Sequence, residues 1–557
     1  MGLFRKTAFG VSCIICLISL FIPENHKKTN RIELFVEKYS KILLAVTVLV
    51  AIVVRFYDLD RLPAGLHIDE WSIAYDAWAL NTYGLDRHLK HNPVYLINYG
   101  GGQNTLLLYM MMLSYRVFGN NIFAIRFPTA LMGVVAVIAI YGILTKTGNK
   151  TIANIGAFLA AIMPVFINMS RFSLESYLLY SMLAVSVWRF IYAIDCQKVI
   201  SFIIAGTVMG LTLYSYALSY AILPVFLALS VIYLAISKKI NFKQLFALGV
   251  PVFILAVPLM LMLIINKFDL PEIVTPLFTI PRLWEFRAGE MGWNGISNIP
   301  TVLFNILVKD WLSYNSDDVF NTLYLFSVPL VAFGCILLVK EVCKELKNRR
   351  FSYYVIVFFA LCSTVFVAMI TSEINVNKAN GVYAFILIVI AIAVYSILKR
   401  SKAMFFIVMV LYSVHFCLFA NWYFSPQKYT ELHLMFRPAL TSVFELVDEI
   451  SDTGKYRFID DAHYPEREMH LALVEQLPPQ EVYQLIYNES SDHPWLDNIP
   501  FAVTEDGKVT FEIDKEVVYI IYRKNLREVN RLIEDYLVEQ GFSLTETTFY
   551  RIYNYVN

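Results

Sequence analysis

Two adjacent carboxylates, Asp69 and Glu70, stand in the stretch Leu62-Pro-Ala-Gly-Leu-His-Ile-Asp-Glu-Trp71, just after an apolar run, and Tyr75, Asp76 and Trp78 follow. A carboxylate held at the outer end of a membrane helix can take a proton from an acceptor hydroxyl while its neighbour is held by other groups. The plainer reading is a helix start, with Asp69 as N-cap of a helix over Glu70 to Tyr83 and Glu70 favoured in its first turn. A second set, Ser170-Arg-Phe-Ser-Leu-Glu175, spaces Arg171 and Glu175 by four residues, which on a continuous helix puts them on one face as an ion pair. A third, Asn375-Val-Asn-Lys-Ala-Asn380, contains Lys378, a cation suited to a phosphate or to lipid headgroups. Arg126, just inside a helix start, is a weaker candidate of the same kind.

These residues need a scaffold, and composition says which solvent it meets. The chain has 557 residues, 58% hydrophobic and 16% charged, against roughly 45–50% and about 25% in soluble chains. Runs such as Phe246–Ile265 and Thr322–Val339 approach the ~20 residues that cross a bilayer core. A net charge of +1 suggests no nucleic-acid partner. Cysteines are absent from the C-terminal 130 or so residues, which excludes a disulfide-stapled outer domain. The start, with Arg5 and Lys6 before an apolar stretch that runs into Pro23, reads as an uncleaved helix rather than a signal peptide.

Basic residues gather in the links 27–41, 146–150, 238–243, 340–350 and 399–402, which the positive-inside bias places in the cytoplasm. Links 214–220, 168–173 and 371–380 are nearly free of base and fall outside, where Arg171 and Lys378 are the single exceptions. About twelve crossing helices result, at 8–22, 42–57, 122–145, 151–169, 173–194, 200–217, 219–236, 244–265, 321–339, 353–371, 381–397 and 403–421. The run 105–118 is too short to cross and suits an interfacial helix within one long outer loop, 57–121. A second outer loop, 266–321, mixes aromatics and charges: Trp284, Glu285, Arg287, Glu290, Trp293 and Trp311. The predicted architecture is an all-α polytopic membrane domain over 1–421, with a small extracytoplasmic α/β domain over 422–557. In the latter, strands are expected at 456–460, 517–523 and 547–555 and helices at 466–476 and 526–540.

Taken together the pattern resembles the GT-C fold glycosyltransferases, in particular the bacterial relatives of protein O-mannosyltransferases and of lipid A aminoarabinose transferase. The resemblance rests on Gly65-Leu-His-Ile-Asp-Glu70, Phe118-Gly with Phe123-Ala-Ile-Arg-Phe-Pro128, Ser170-Arg-Phe-Ser-Leu-Glu175 and Asn375-Val-Asn-Lys-Ala-Asn380. It implies a sugar donor on a polyprenyl phosphate, a glycan, lipid or protein acceptor arriving from outside, and inversion by direct displacement at the plasma membrane. By the same resemblance Asp69 and Glu70 match the family's first acidic position and Glu175 its second. One departure stands out: Gly100-Gly-Gly-Gln-Asn-Thr105 replaces the family's Lys-Pro-Pro-Leu-type motif, so Lys378, Arg171 or Arg126 would have to hold the donor phosphate. His67, Gln103, Asn104 and Trp293 are the residues expected to bind sugar or acceptor. No cofactor is assigned and a divalent metal is left open, since His67 beside Asp69 has ligand residue types without a zinc-motif spacing. The competing classes are a transporter or lipid flippase, disfavoured because helix centres carry almost no charge, and a lipid-linked polysaccharide polymerase or ligase.

Overall fold

A computed structural model describes residues 2–24, 31–98, 101–284, 299–310, 312, 314–316, 319–371 and 374–425, together with 436, 446–447, 449–450, 456–459, 472–473, 476–487, 501–503, 509–511, 513–522, 528–547 and 550–555. The chain divides into two compact units, one of Met1–Pro63 with Asn92–Leu432, the other of Ala64–His91 with His433–Asn557. The expected boundary after Asn421 was drawn along the sequence. The short segment Ala64–His91, which carries the paired carboxylates, groups instead with the C-terminal residues.

The first unit is helical because a backbone in lipid must satisfy its own hydrogen bonds. Its long helices are α1 (Gly2–Phe21), α2 (Arg31–Phe56), α5 (Ile122–Thr147), α6 (Lys150–Ile162), α8 (Leu178–Cys196), α9 (Val199–Leu213), α10 (Ser219–Ile236), α11 (Phe242–Lys267), α13 (Ser327–Lys347), α14 (Tyr353–Ile370), α16 (Tyr383–Arg400) and α17 (Lys402–Tyr423). Each corresponds to one of the twelve expected helices. Among the described residues eight helices are long and apolar enough to cross a membrane, and the protein is a multi-pass membrane protein. Asn121, Asn149, Asn241, Ser352 and Ser401 start α5, α6, α11, α14 and α17 by accepting backbone N–H groups that the first turn leaves unpaired. The expected continuous helix 151–169 breaks at Met163, which is extended, and restarts as the short α7 (Pro164–Asn168), because Pro164 has no N–H to continue the ladder. Likewise the expected start of a helix at 173 is displaced to Leu178. Leu174 is extended and Glu175–Tyr177 forms a 3-10 turn.

The 13-residue α4 (Leu106–Phe118) has the length of an interfacial helix and exposes Leu113, Val117 and Phe118. It follows a hairpin of β1 (Tyr95–Asn98) and β2 (Gly101–Asn104), and a smaller hairpin joins β3 (Ile273–Val274) to β4 (Thr279–Ile280). α12 (Ile299–Leu307) and the four-residue α15 (Val376–Ala379) complete the unit. α16 is buried along almost its whole length at the centre of the bundle.

In the second unit, α3 (Ile68–Tyr83) precedes, in the C-terminal part, β5 (Tyr456–Ile459), α18 (Pro479–Tyr487), β6 (Phe501–Val503), β7 (Val509–Phe511), β8 (Val518–Tyr522), α19 (Glu528–Glu539), β9 (Phe542–Glu546) and β10 (Tyr550–Tyr555). The main sheet has the order β5-β8-β10-β9, with β5 parallel to β8 and the other pairs antiparallel. Val517, Tyr519 and Ile521 point to one face and pack with Ile533 and Leu537 of α19. The strands expected near 456, 517 and 550 and the helix near 526 are present. The helix expected over 466–476 lies largely outside the described residues.

Helices without a hydrophobic driving force between them need close backbone approach. At Gly206 of α9 an added Cβ would sit 2.2 Å from the Leu248 carbonyl oxygen of α11, and at Gly334 of α13 it would sit 2.2 Å from that of Val389 in α16. Both neighbours are backbone atoms that cannot rotate away. Gly206→Ala and Gly334→Ala are therefore expected to lower thermal stability in detergent by about 1–3 kcal/mol, whereas Gly249→Ala, with nothing within 4 Å of the new methyl, should leave it unchanged.

Candidate active site

The helix carrying the two carboxylates starts differently from the simple capping scheme. His67, not Asp69, is the N-cap: its backbone is extended and its Nδ1 accepts the Asp69 N–H at 3.2 Å. Glu70 closes the box, its Oε2 accepting the His67 N–H at 2.9 Å, and its side chain is fully buried. The capping role thus falls to the flanking pair, and the Asp69 carboxylate stays outside it with 35% of its side chain exposed. His67 Nδ1 and Asp69 Oδ2 are 3.6 Å apart, a distance open to an ion pair. In this arrangement the imidazole serves the backbone as a cap.

Farther along α3, Gly84 ends the helix in the left-handed conformation, its N–H donating to Leu80 O. The returning chain brings Arg87 back to Asp76. Arg87 Nη2 lies 2.9 Å from Asp76 Oδ2 and also donates to Ser72, and the Arg87 N–H donates to Asp76 Oδ1 at 3.1 Å. Next to it Asp86 accepts the His88 and Lys90 N–H groups through Oδ1 at 2.9 and 2.8 Å. Both carboxylates are buried. Sequence reasoning missed Asp86 and Arg87, although an Asp-Arg-His run just beyond a helix-ending glycine was a usable signal. In the same unit His88 Nδ1 lies 3.0 Å from the Tyr487 hydroxyl, and the Tyr75 hydroxyl donates to Leu477 O at 2.8 Å.

In the first unit Glu175 is half-buried in its 3-10 turn and accepts the Asn104 N–H at the end of β2. Asn104 is fully buried, with its amide 2.6 Å from the Tyr220 hydroxyl. With its oxygen toward Ala217 N (2.9 Å), its NH₂ reaches Leu213 O (3.1 Å) and Tyr220 Oη. Gln103 accepts from Asn98 Nδ2 across the hairpin at 3.3 Å. Of the two amides expected to bind sugar or acceptor, Gln103 thus pairs within the hairpin and Asn104 ties the end of β2 to the α9–α10 link, while its backbone N–H holds Glu175. Lys378 sits on α15, capped by Asn375, whose Oδ1 accepts the Lys378 N–H at 3.0 Å. α15 packs against the turn that carries Glu175. Lys378 also lines a small crevice together with Thr364, Val367, Thr371, Ile222 and Val382. Asp310, unremarked in the sequence, supports this end by accepting Val376 N–H (3.0 Å) and Asn315 Nδ2 (2.7 Å). Trp293 lies outside the described residues.

The two arginines considered for the donor phosphate are fully buried. Arg171 donates to the carbonyl oxygens of Val54, Tyr57, Asp58 and Leu62 at 2.8–3.2 Å, and Arg126 Nη1 to those of Leu59 and Pro63 at 3.1 and 2.7 Å. The expected Arg171–Glu175 pairing does not form. The four-residue spacing holds on a continuous helix, and here an extended residue and a 3-10 turn intervene. Among the described residues no group of three or more His, Cys, Asp or Glu side chains is placed to hold a metal ion.

Comparison with known proteins gives matches over parts of the chain. Residues 104–263, from Asn104 through Glu175 to α11, match the family described as dolichyl-phosphate-mannose-protein mannosyltransferase. The putative mannosyltransferase YkcB of Bacillus subtilis (strain 168) is 28% identical over 184 residues, which is 33% of this chain and 25% of that protein. The match thus spans about a quarter of the relative's length. Among solved structures, similarity is found to ArnT from Cupriavidus metallidurans bound to undecaprenyl phosphate (14% identity, 79% of this chain and 69% of that one, TM-score 0.42). Similarity also extends to the oligosaccharyltransferase AglB from Archaeoglobus fulgidus (13% identity, 94% and 75%, TM-score 0.48).

Burial pushes the Asp86 carboxyl up to about 7, and the neighbouring Asp76 charge adds to it. A folded-state pKa above the unfolded value of ~3.9 gives stability that is complete below that value and is lost as pH rises to about 7. Thermal melts of the purified protein are expected to show wild type less stable at pH 8 than at pH 5, with Asp86→Asn reducing that difference. An unchanged difference would show that Asp86 does not titrate in this window.

Proposed function

We propose that the chain is an integral-membrane glycosyltransferase of GT-C type that moves a sugar from a polyprenyl-phosphate carrier to an acceptor on the extracytoplasmic side of the plasma membrane. The observation that carries this reading is the capping arrangement of α3. His67 and Glu70 occupy the cap, and Asp69 is the partly exposed one of the two adjacent acids. The family match over residues 104–263, which include Glu175, points to the same class of reaction.

In the proposed step the acceptor oxygen attacks the anomeric carbon on the face opposite the phosphate. The bond from that carbon to the phosphate oxygen breaks as the new glycosidic bond forms, the configuration inverts, and polyprenyl phosphate departs with the bonding pair. Asp69 takes the acceptor's proton as general base. Lys378, which lines this small crevice, is the cation proposed to offset charge on the leaving phosphate. Glu175 is the second acidic residue, and Asn104 and Tyr220 fix its position. The basic links placed in the cytoplasm support an extracytoplasmic location for the C-terminal residues.

Asp69→Asn keeps size and removes the base, so turnover should fall by about 10² to 10⁴. Glu70→Gln should instead lower stability, by about 1 kcal/mol as a weakened cap, with a smaller effect on turnover. Lys378→Gln should raise the KM for donor. Turnover at matched membrane expression is the measurement, and an Asp69→Asn enzyme with near-normal turnover would remove Asp69 as base.

A further inference from the structure

The first unit hands the chain to the Asp69-bearing segment after Pro63 and to the C-terminal residues after Leu432. One side chain of the first unit touches the approach to both exits. The Arg171 guanidinium collects the carbonyls of Val54, Tyr57, Asp58 and Leu62, the last turn of α2 and the bend beyond it. Its flat face lies over the rings of Tyr423 and Phe424, 5.5 and 5.0 Å from their centres, where α17 ends. Tyr57 and Phe424 meet edge-on at 5.4 Å beside it. The third crossing, at His91–Asn92, is held by other means: Val94 N–H donates to Thr279 O at 2.9 Å, and the Tyr109 hydroxyl donates to Pro93 O at 2.8 Å.

We infer that Arg171 is a positioning residue, a shared anchor that fixes where α2 and α17 release the chain. For catalysis this rests on the proposed role of Asp69. The chemistry requires arginine. A planar fork can serve four carbonyls around one plane while both of its faces stay free for rings, whereas an ammonium offers three donors from one point. Full burial, with both terminal nitrogens donating to backbone carbonyls, sets this role apart from that of a phosphate ligand. A guanidinium whose terminal nitrogens already face backbone carbonyls and which has no exposed surface is placed to hold the chain rather than to meet a substrate from solvent.

Amide hydrogen exchange on the purified full-length protein tests the anchor without needing activity, so a failure of the transferase reading would be seen separately. Arg171→Lys and Arg171→Met should speed exchange by about tenfold or more in both 54–62 and 420–425, with 92–96 and α8 unchanged. Tyr423→Leu, a milder change, should speed exchange in 54–62 as well. On any donor the wild type uses, Arg171→Lys should lower kcat and leave the donor KM within about twofold. Faster exchange in one segment alone, or throughout the bundle in the Lys and Leu variants, would overturn the shared anchor. So would unchanged exchange with a raised donor KM, the mark of a phosphate ligand.

Discussion

A guanidinium buried at the end of a membrane helix must find acceptors, because the cost of leaving a desolvated charge unsatisfied exceeds that of almost any local distortion. Arg55, Arg126 and Arg171 meet that demand largely with backbone carbonyls. Arg55 takes Ala51, Ala160 and Ala161 and reaches Ser170, while Arg126 and Arg171 take the carbonyls of Leu59, Pro63 and the 54–62 segment. Carbonyls without an intrahelical partner become available where a helix ends, as at Val54 and at Ala160 and Ala161. The arginines and the termination of α2 therefore require each other, and the bend that leads toward the carboxylates follows. Gly133 belongs to the same constraint, since a Cβ there would fall 2.1 Å from Ser170 Oγ and 2.8 Å from Arg55 Nε.

A parallel economy of polar groups governs the start of α3. Two orphan N–H groups need acceptors, and His67 with Glu70 supplies both. The result is two adjacent acids in different settings, Glu70 buried in the cap and Asp69 partly exposed. Glu175 is constrained from a different direction, by a hairpin N–H and a buried amide network, on a turn packed against the element that bears Lys378. Each of these side chains owes its geometry to backbone groups that a neighbouring element leaves unpaired.

Much of this was legible in the residues. Apolar length and the distribution of Lys and Arg located the twelve long helices of the first unit among the described residues, and the apolar run at 105–118 located α4. Less legible were features that depend on a single backbone angle. Asp is the commoner cap, so Asp69 was the natural choice, yet the extended conformation of His67 moves the helix start two residues earlier. Leu174 breaks the spacing that would have joined Arg171 to Glu175. Nor does the sequence show the local partners of Gln103 and Asn104, one across its hairpin and the other at the α9–α10 link. The burial of Asp76, Asp86 and Arg87 depends on the reversal at Gly84, which brings residues eleven apart into contact.

The central claim is that the lipid-linked sugar is consumed with release of a lipid monophosphate. The most direct measurement reconstitutes the purified protein in liposomes carrying polyprenyl-phosphate sugars labelled in both lipid and sugar, and identifies the lipid product. The account predicts polyprenyl phosphate formed in step with a glycosylated acceptor, with the anomeric configuration inverted. Sugar carried across the bilayer with the donor intact would instead identify a flippase. Activity only on diphosphate-linked oligosaccharides, releasing polyprenyl diphosphate, would identify a polymerase or ligase, and either result would contradict the account.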